Sequence, residues 1–134
     1  MIGVLLVTHG EIGKALLASA SQILGGAPAQ VVTLSVWRQD DPDDLVQRAR
    51  ELLDQIDVGD GALVLTDIFG ATPGNVVSRL LTDGRVEGVS GLSLPMLLRV
   101  LTTRNGSLAA AVKRALSAGA EGVVHMNSDR CLDA

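Results

Sequence analysis

Aromatic residues are almost absent from this chain of 134 residues. Trp37 and Phe69 are its only aromatic side chains, and it contains no tyrosine. A hydrophobic core must therefore be built from Leu, Val, Ile and Ala. Apolar residues as a whole make up 47% of the chain, as in a typical globular protein. At this length we expect one domain whose core needs neither a metal ion nor a disulfide for support.

Cysteine, basic runs and long apolar stretches are also scarce. Cys131 is the single cysteine, so the chain forms no internal disulfide, which fits a reducing compartment. The net charge of −4 without a basic run argues against nucleic acid or an anionic membrane as the main partner. Neither a secretory signal nor a run of membrane-spanning length is present. We therefore expect a cytoplasmic protein.

The sequence lacks the short motifs of several enzyme classes. It contains no GxGxxG, no Walker lysine motif, no GxSxG and no paired CxxC, which weakens nucleotide-binding and hydrolase interpretations. The acidic pairs at 40–41 and 43–44 have no neighbouring histidine or cysteine, so we interpret them as a solvated acidic loop that leads into a helix, with metal binding as a minor alternative. We predict neither a metal site nor a cofactor.

Short apolar runs alternating with helical patterns are what the chain does contain. Strands are predicted at residues 4–9, 31–36, 62–66, within 86–94, and at 122–126. Helices are predicted at residues 11–24, 42–56, 72–81, 95–101 and 108–118, the last capped by Gly119. Alternation of this kind predicts a doubly wound α/β domain with a mostly parallel central sheet.

The first predicted strand ends on His9, in the turn that leads to a helix. Open α/β sheets bind their ligands at the carboxyl ends of the strands. A neutral imidazole offers an unprotonated nitrogen that can act as a base or nucleophile. Gly10 removes bulk beside it, and the helix start supplies N–H groups that can hold an anion. For this residue alone, a loop histidine without a chemical role remains the alternative.

A second strand-to-helix turn, residues 65–75 (LTDIFGATPGN), repeats this layout. Right-handed crossovers bring its strand end to the same sheet edge as His9. Asp67 would then accept a hydrogen bond from one N–H of the His9 ring and leave the other ring nitrogen free. Thr72 and the backbone N–H groups of the loop that contains Gly70 and Ala71 would bind phosphate oxygens. Asp67 and Thr72 could each be simple caps. Together with His9 they predict a phosphotransfer site.

Two further segments are predicted near this edge. In residues 91–97 (GLSLPML), Pro95 begins a helix, and Pro95 and Met96 are candidates for a docking surface, with ordinary packing as the alternative. Trp37 and Arg38, at the end of the second strand, line either the site or a subunit contact.

Three motifs together resemble one known family, the IIA component of the mannose-type sugar phosphotransferase system. They are residues 7–10 (VTHG), 66–75 (TDIFGATPGN) and 91–97 (GLSLPML). The resemblance extends in order over nearly the whole chain. It predicts a IIA domain at residues 1–127, followed by a short tail at 128–134.

The resemblance implies a phosphotransferase that acts as a phosphohistidine carrier. His9 would accept a phosphoryl group on Nε2 from the phosphocarrier protein HPr and pass it to a IIB protein. The residues matching Asp67 and Thr72 orient the imidazole and lie by the phosphate in this family. Contact with the membrane is expected only through the partner complex.

The resemblance also implies four parallel strands and a fifth, antiparallel edge strand that two subunits exchange. In this chain that strand would be residues 122–126, so we expect a homodimer. Some members continue into a fused IIB domain, whereas this sequence ends at Ala134, so a separate IIB protein is expected. Three alternatives stay open: a regulatory IIA protein that moves no sugar, the phosphotransfer subunit of dihydroxyacetone kinase, and a non-catalytic flavodoxin-like ligand binder.

Overall fold

The computed structural model describes residues 1–129, in which strands and helices alternate as far as the fourth strand and three further helices follow. The strands are β1 (Gly3–His9), β2 (Val31–Val36), β3 (Ala62–Thr66) and β4 (Val86–Ser90). The helices are α1 (Ile12–Leu24), α2 (Pro42–Ile56), α3 (Thr72–Ser78), α4 (Leu94–Leu101), α5 (Leu108–Glu121) and α6 (Met126–Asp129). None of the helices within residues 1–129 combines the length and apolar character needed to cross a bilayer. Cys131 lies outside the described residues.

The four strands form one parallel sheet in the order β2-β1-β3-β4. His9 pairs in register with Val36, and Val7 pairs with Thr66. The carboxyl ends of β1, β2 and β3 therefore lie side by side at one edge. The predicted α/β fold with a parallel sheet is confirmed.

Helices cover both faces of the sheet, and the alternation of side chains along β1 shows the two layers. Val4 and Leu6 pack in the layer that contains α1, α4 and α5, whereas Leu5 and Val7 pack in the layer that contains α2 and α3. All four side chains are fully buried, which explains why β1 is a continuous apolar run. Burial of each such side chain stabilises the fold by roughly 1.5–3 kcal/mol. Within the described residues, both core clusters are aliphatic, as the shortage of aromatics predicts.

Three features of the helix ends differ from the predictions, and the first is that α3 ends at Ser78 rather than at residue 81. Thr72 was expected to cap α3, but α3 begins at Thr72 and follows Ala71, with no side-chain capping bond. The Thr72 hydroxyl is therefore not used by the helix end. Gly119 was expected to end α5, yet the helix continues to Glu121 and is capped by Gly122. A Cβ on Gly119 would lie 2.9 Å from Cε of Met96, so this glycine permits close packing of α5 against α4.

The predicted final strand is not formed in the single chain. Residues 122–125 have no regular secondary structure, and residues 126–129 form α6. An apolar pattern favours a strand, but a strand also needs a neighbouring strand to which it can form hydrogen bonds. Residues 122–126 have no such neighbour within residues 1–129. Val123, Val124 and Met126 are exposed instead. Exchange of this segment between two subunits stays a prediction.

Candidate functional site

His9 and Asp67 are in direct contact at the carboxyl edge of the sheet. The His9 Nδ1 atom lies 2.8 Å from Oδ2 of Asp67, and the same oxygen accepts the backbone N–H of His9 at 3.1 Å. The two residues are 58 positions apart in sequence. The parallel register of β1 and β3 brings them together, because it pairs Val7 with Thr66, the residue before Asp67.

The second carboxylate oxygen of Asp67 is also held by its surroundings. Oδ1 accepts the backbone N–H of Ile68 at 3.1 Å and lies 3.4 Å from the hydroxyl of Thr66. The Asp67 side chain is only 12% exposed, whereas that of His9 is 48% exposed. The carboxylate is therefore fixed in place, while one edge of the imidazole remains open to solvent.

The environment of Asp67 keeps it ionised. Burial alone would raise the pKa of the Asp67 carboxyl. Hydrogen bonds from the ring and the backbone N–H of His9, together with electrostatic attraction to His9, outweigh this effect, so the pKa is lowered. Because an ionised carboxylate only accepts hydrogen bonds, the proton in this contact sits on Nδ1 of His9. In a neutral ring the free electron pair is then on Nε2, the nitrogen that faces away from Asp67.

A surface depression of about 460 Å³ borders His9. The other residues that line it are Val36, Trp37, Arg38, Asp40, Pro42 and Thr72. Thr72 therefore lies by the same space as His9, as the sequence predicts. Trp37, which the sequence predicts to line either the site or a subunit contact, lines this depression.

Gly10 adopts a backbone conformation that suits glycine. Its φ is +47°, and a Cβ there would lie 3.2 Å from the Trp37 ring. The Gly10 N–H donates to the carbonyl oxygen of Val36 at 2.9 Å. The space that Gly10 leaves open beside His9 is thus taken by an aromatic ring, which sequence reasoning did not anticipate.

The Thr8 hydroxyl was missed at the sequence level. It accepts the N–H of Gly13 at 2.8 Å in a buried position and so satisfies a donor in the first turn of α1. Threonine often occurs near the end of a strand, a few residues before a helix. Its presence in the sequence therefore does not indicate that its hydroxyl accepts a helical N–H. Its effect is to hold the turn that carries His9.

The loop between Asp67 and Thr72 contains Gly70 at a φ of +86°, followed by Ala71 in extended backbone. Side chains of this loop point outward: Phe69 is 81% exposed. The role of Gly70 and Ala71 in holding phosphate stays a prediction. Within residues 1–129 no group of three or more His, Cys, Asp or Glu side chains is placed to hold a metal ion.

The segment predicted as a docking surface is divided between core and surface. Met96 is 3% exposed and packs in the core, so its side chain is not accessible to a partner. Pro95 is exposed at the start of α4, where its ring lies 2.8 Å from the position of a Cβ on Gly122. Neither residue lines the depression beside His9.

Comparison with known proteins identifies similar sequences. The profile of a protein family described as "PTS system fructose IIA component" matches residues 3–117. The PTS system mannose-specific EIIAB component of Escherichia coli strain K12 is 30% identical over 125 residues, which are 91% of this chain but only 38% of that protein. The chain therefore spans well under half the length of that relative.

A relative of more similar length and a solved structure give the same result. The PTS system fructose-specific EIIA component of Bacillus subtilis strain 168 is 30% identical over 105 residues, 78% of this chain and 71% of that protein. The crystal structure of a phosphotransferase system component EIIA from Streptococcus agalactiae superposes with a TM-score of 0.84 at 27% identity. It covers 96% of this chain and 99% of that one.

Proposed function

Because the chain belongs to the mannose/fructose-type IIA family of the sugar phosphotransferase system, we propose that it is a phosphohistidine carrier. His9 accepts a phosphoryl group on Nε2 from phosphorylated HPr and passes it to a IIB protein. The observation that supports this most strongly is the 2.8 Å contact between Nδ1 of His9 and Asp67, which occupies one ring nitrogen and leaves the other exposed.

The transfer step needs only the imidazole as a nucleophile. The electron pair of His9 Nε2 attacks the phosphorus atom of the donor phosphohistidine. A new P–N bond forms as the donor P–N bond breaks, and the electron pair of the broken bond returns to the donor imidazole. Nδ1 keeps its proton, so the His9 ring becomes positively charged. Asp67 stabilises this charge and fixes the ring orientation.

Thr72 supplies a hydroxyl that the fold leaves available. It is exposed, and within residues 1–129 its hydroxyl makes no hydrogen bond. In the proposed mechanism it donates a hydrogen bond to a phosphoryl oxygen. Catalysis of phosphoryl transfer depends mainly on such positioning and on charge stabilisation, so no metal or cofactor is required by the proposal.

The surface around His9 suits a transient protein partner. Trp37 lines the depression beside His9, and Ile68 and Phe69 lie in the loop that follows Asp67, where Phe69 also lines a separate cavity between α3 and α5. These large apolar side chains are 45%, 55% and 81% exposed. We call these three residues the apolar rim. Exposed aromatic residues around a polar centre are typical of protein-binding surfaces. In the proposal, HPr and the IIB protein dock in turn on this rim.

The outer edge of β4 suits the proposed exchange of a strand between subunits. A cavity of about 320 Å³ lies between α3 and α5 beside this edge, and its apolar lining residues include Val77, Leu81, Val112 and Leu116. Residues 122–126 carry apolar side chains that are exposed in the single chain. In the proposal, this segment of one subunit pairs with β4 of the other and covers the cavity.

Transfer of labelled phosphate tests the carrier function. The purified protein is mixed with HPr carrying labelled phosphate, and the expected product is an acid-labile, alkali-stable label on the protein. His9→Ala should abolish the label, whereas His125→Ala, which removes the other histidine, should retain it. Label that persists in His9→Ala would refute the assignment.

A second stage of the same experiment separates transport from regulation. Addition of a IIB protein of the mannose or fructose class should remove the label from the carrier and transfer it to that protein. Label that reaches His9 but is not passed to any IIB protein would instead favour the regulatory alternative.

A further inference from the structure

Arg38 lies at the depression that His9 borders. It lines the same depression as His9 and Thr72. Arg38 follows the end of β2 by two residues, and the last residue of β2, Val36, pairs with His9. Since β1 lies between β2 and β3 in the sheet, Arg38 and Thr72 approach His9 from opposite sides.

The backbone around Arg38 is held firmly to the turn that carries His9. The Asp40 N–H donates to the carbonyl oxygen of Trp37 at 3.0 Å, and the Trp37 N–H donates to the Asp40 carboxylate at 2.8 Å. Arg38 therefore sits at the second position of a closed turn. The Trp37 ring packs against Gly10, so this turn and the His9 turn form one unit.

The guanidinium of Arg38 has no partner of its own within residues 1–129. Three other exposed arginines pair with carboxylates: Arg79 with Asp43, Arg85 with Asp57, and Arg99 with Glu121. Arg48 on α2 resembles Arg38 in having no partner within residues 1–129, but it does not line the depression. Arg38 forms neither an ion pair nor a hydrogen bond with the described residues, and its side chain is exposed. A fixed backbone thus presents an uncompensated cation at the depression.

The proposed chemistry brings negative charge to this place. A phosphoryl group on Nε2 carries up to two negative charges, and Asp67 already contributes one on the other side of the ring. Asp40, which also lines the depression, adds another. Glu11, two residues after His9, is also negatively charged, but it forms an ion pair with Lys14, whose Nζ lies 4.0 Å from its Oε2. Without a cation at the phosphoryl group, these charges would repel it.

We propose that Arg38 is a phosphate-binding catalytic residue of this chain, whose guanidinium donates hydrogen bonds to the phosphoryl oxygens during transfer to and from His9. The proposal rests on the carrier function proposed above. The planar guanidinium suits two oxygens at once and stays charged at any working pH. It adds no bond-breaking step, because its hydrogen bonds form as charge develops on the phosphoryl oxygens.

The first test compares transfer rates from phosphorylated HPr. Arg38→Gln should slow labelling of His9 about tenfold, a smaller loss than for a buried donor because the guanidinium is exposed and screened. Arg38→Lys should retain part of the rate, since lysine keeps the positive charge but lacks the planar guanidinium that can donate to two oxygens at once. Arg48→Gln is the matched control: Arg48 is exposed on α2 and does not line the depression, so its rate should equal that of the wild type.

The second test does not depend on a protein donor. Phosphoramidate, a small phosphoryl donor, is used to label His9, and phosphorus NMR follows the titration of the attached group. Contact with Arg38 lowers the pKa of that group, so Arg38→Gln should raise it by roughly half a unit relative to the wild type and Arg48→Gln. A role of Arg38 in loop structure alone would leave this titration unchanged.

The outcomes separate the two proposals. Slower transfer together with a raised phosphoryl pKa in Arg38→Gln supports the role of Arg38. An unchanged titration overturns it, whatever the transfer rate. Wild-type protein that phosphoramidate labels at His9 but HPr does not would refute the carrier function, while the titration still decides on Arg38. Failure of both donors to label His9 would overturn both.

Discussion

One carboxylate oxygen of Asp67 accepts hydrogen bonds from two atoms of His9, the backbone N–H and the ring Nδ1. The hydrogen bond from the backbone N–H fixes the position of the carboxylate, and the hydrogen bond from Nδ1 then fixes the orientation of the imidazole ring. This double contact requires Asp67 directly after β3 and His9 at the end of β1, in neighbouring parallel strands. It makes the proposed nucleophile rigid before any partner binds, which is the form of preorganisation that phosphoryl transfer needs.

Replacement of Asp67 by asparagine should slow phosphoryl transfer about 100-fold while the fold survives. The amide is similar in shape but carries no charge to stabilise the ring as it becomes positive, and it can also favour the wrong tautomer. Asp54→Asn is the control, because Asp54 is exposed on α2 away from the site. Wild-type transfer rates in Asp67→Asn would remove Asp67 from the mechanism.

The lowered pKa of Asp67 predicts a pH dependence of stability. Its ordinary value is 3.8, and the value in the folded protein is lower. The folded state therefore binds this proton less readily than the unfolded state. The stabilisation is complete above the ordinary value and is lost as the pH falls through the folded value.

Urea unfolding of the wild type and Asp67→Asn from pH 7 to pH 2.5 tests this dependence. The free energy of unfolding of the wild type should fall more steeply below about pH 4 than that of the variant. A difference between the two proteins that stays constant over the whole range would show that the carboxylate is not stabilised by folding.

Replacement of Gly10 by alanine should destabilise the protein by about 1–2 kcal/mol. The positive φ of Gly10 disfavours any side chain, and the new Cβ would press against the Trp37 ring. Because Trp37 is the single tryptophan, its fluorescence should report the displacement directly. Gly26→Ala, at a glycine with open space around it, should change the free energy of unfolding by less than about 0.5 kcal/mol. Equal effects of the two substitutions would contradict the close packing of the Trp37 ring against Gly10.

Truncation tests both the proposed homodimer and the proposed end of the domain at residue 127. A chain ending after residue 127 keeps the segment 122–126 and should remain a dimer in light scattering. A chain ending after Glu121 lacks the segment and should be a monomer, with the cavity beside β4 uncovered. A dimer in the shorter chain would show that the subunits associate by another surface.

Much of the architecture is readable from the sequence because its signals are local. The limits of β2 and β3 agree with the predicted residues 31–36 and 62–66, since each is a short run rich in apolar residues, and Gly61 and Asp67 bound the second of them. Parallel order and right-handed crossovers then place His9 and Asp67 at one edge without any knowledge of side-chain packing. Residue type and topology were sufficient to predict that these two residues meet.

What depends on contacts between distant segments could be decided only by the tertiary structure. The sequence did not indicate that Trp37 packs against Gly10, that Met96 is buried against Gly119, or that Arg38 has no partner within residues 1–129. Residues 122–126 have the composition of a strand, but a strand needs a neighbouring strand as its hydrogen-bond partner. Residues 1–129 of one chain provide no such neighbour for this segment. The sequence by itself therefore determined the fold and the pair of residues at its centre. The tertiary structure decided which side chains surround them, because packing depends on shapes that meet only after the chain has folded.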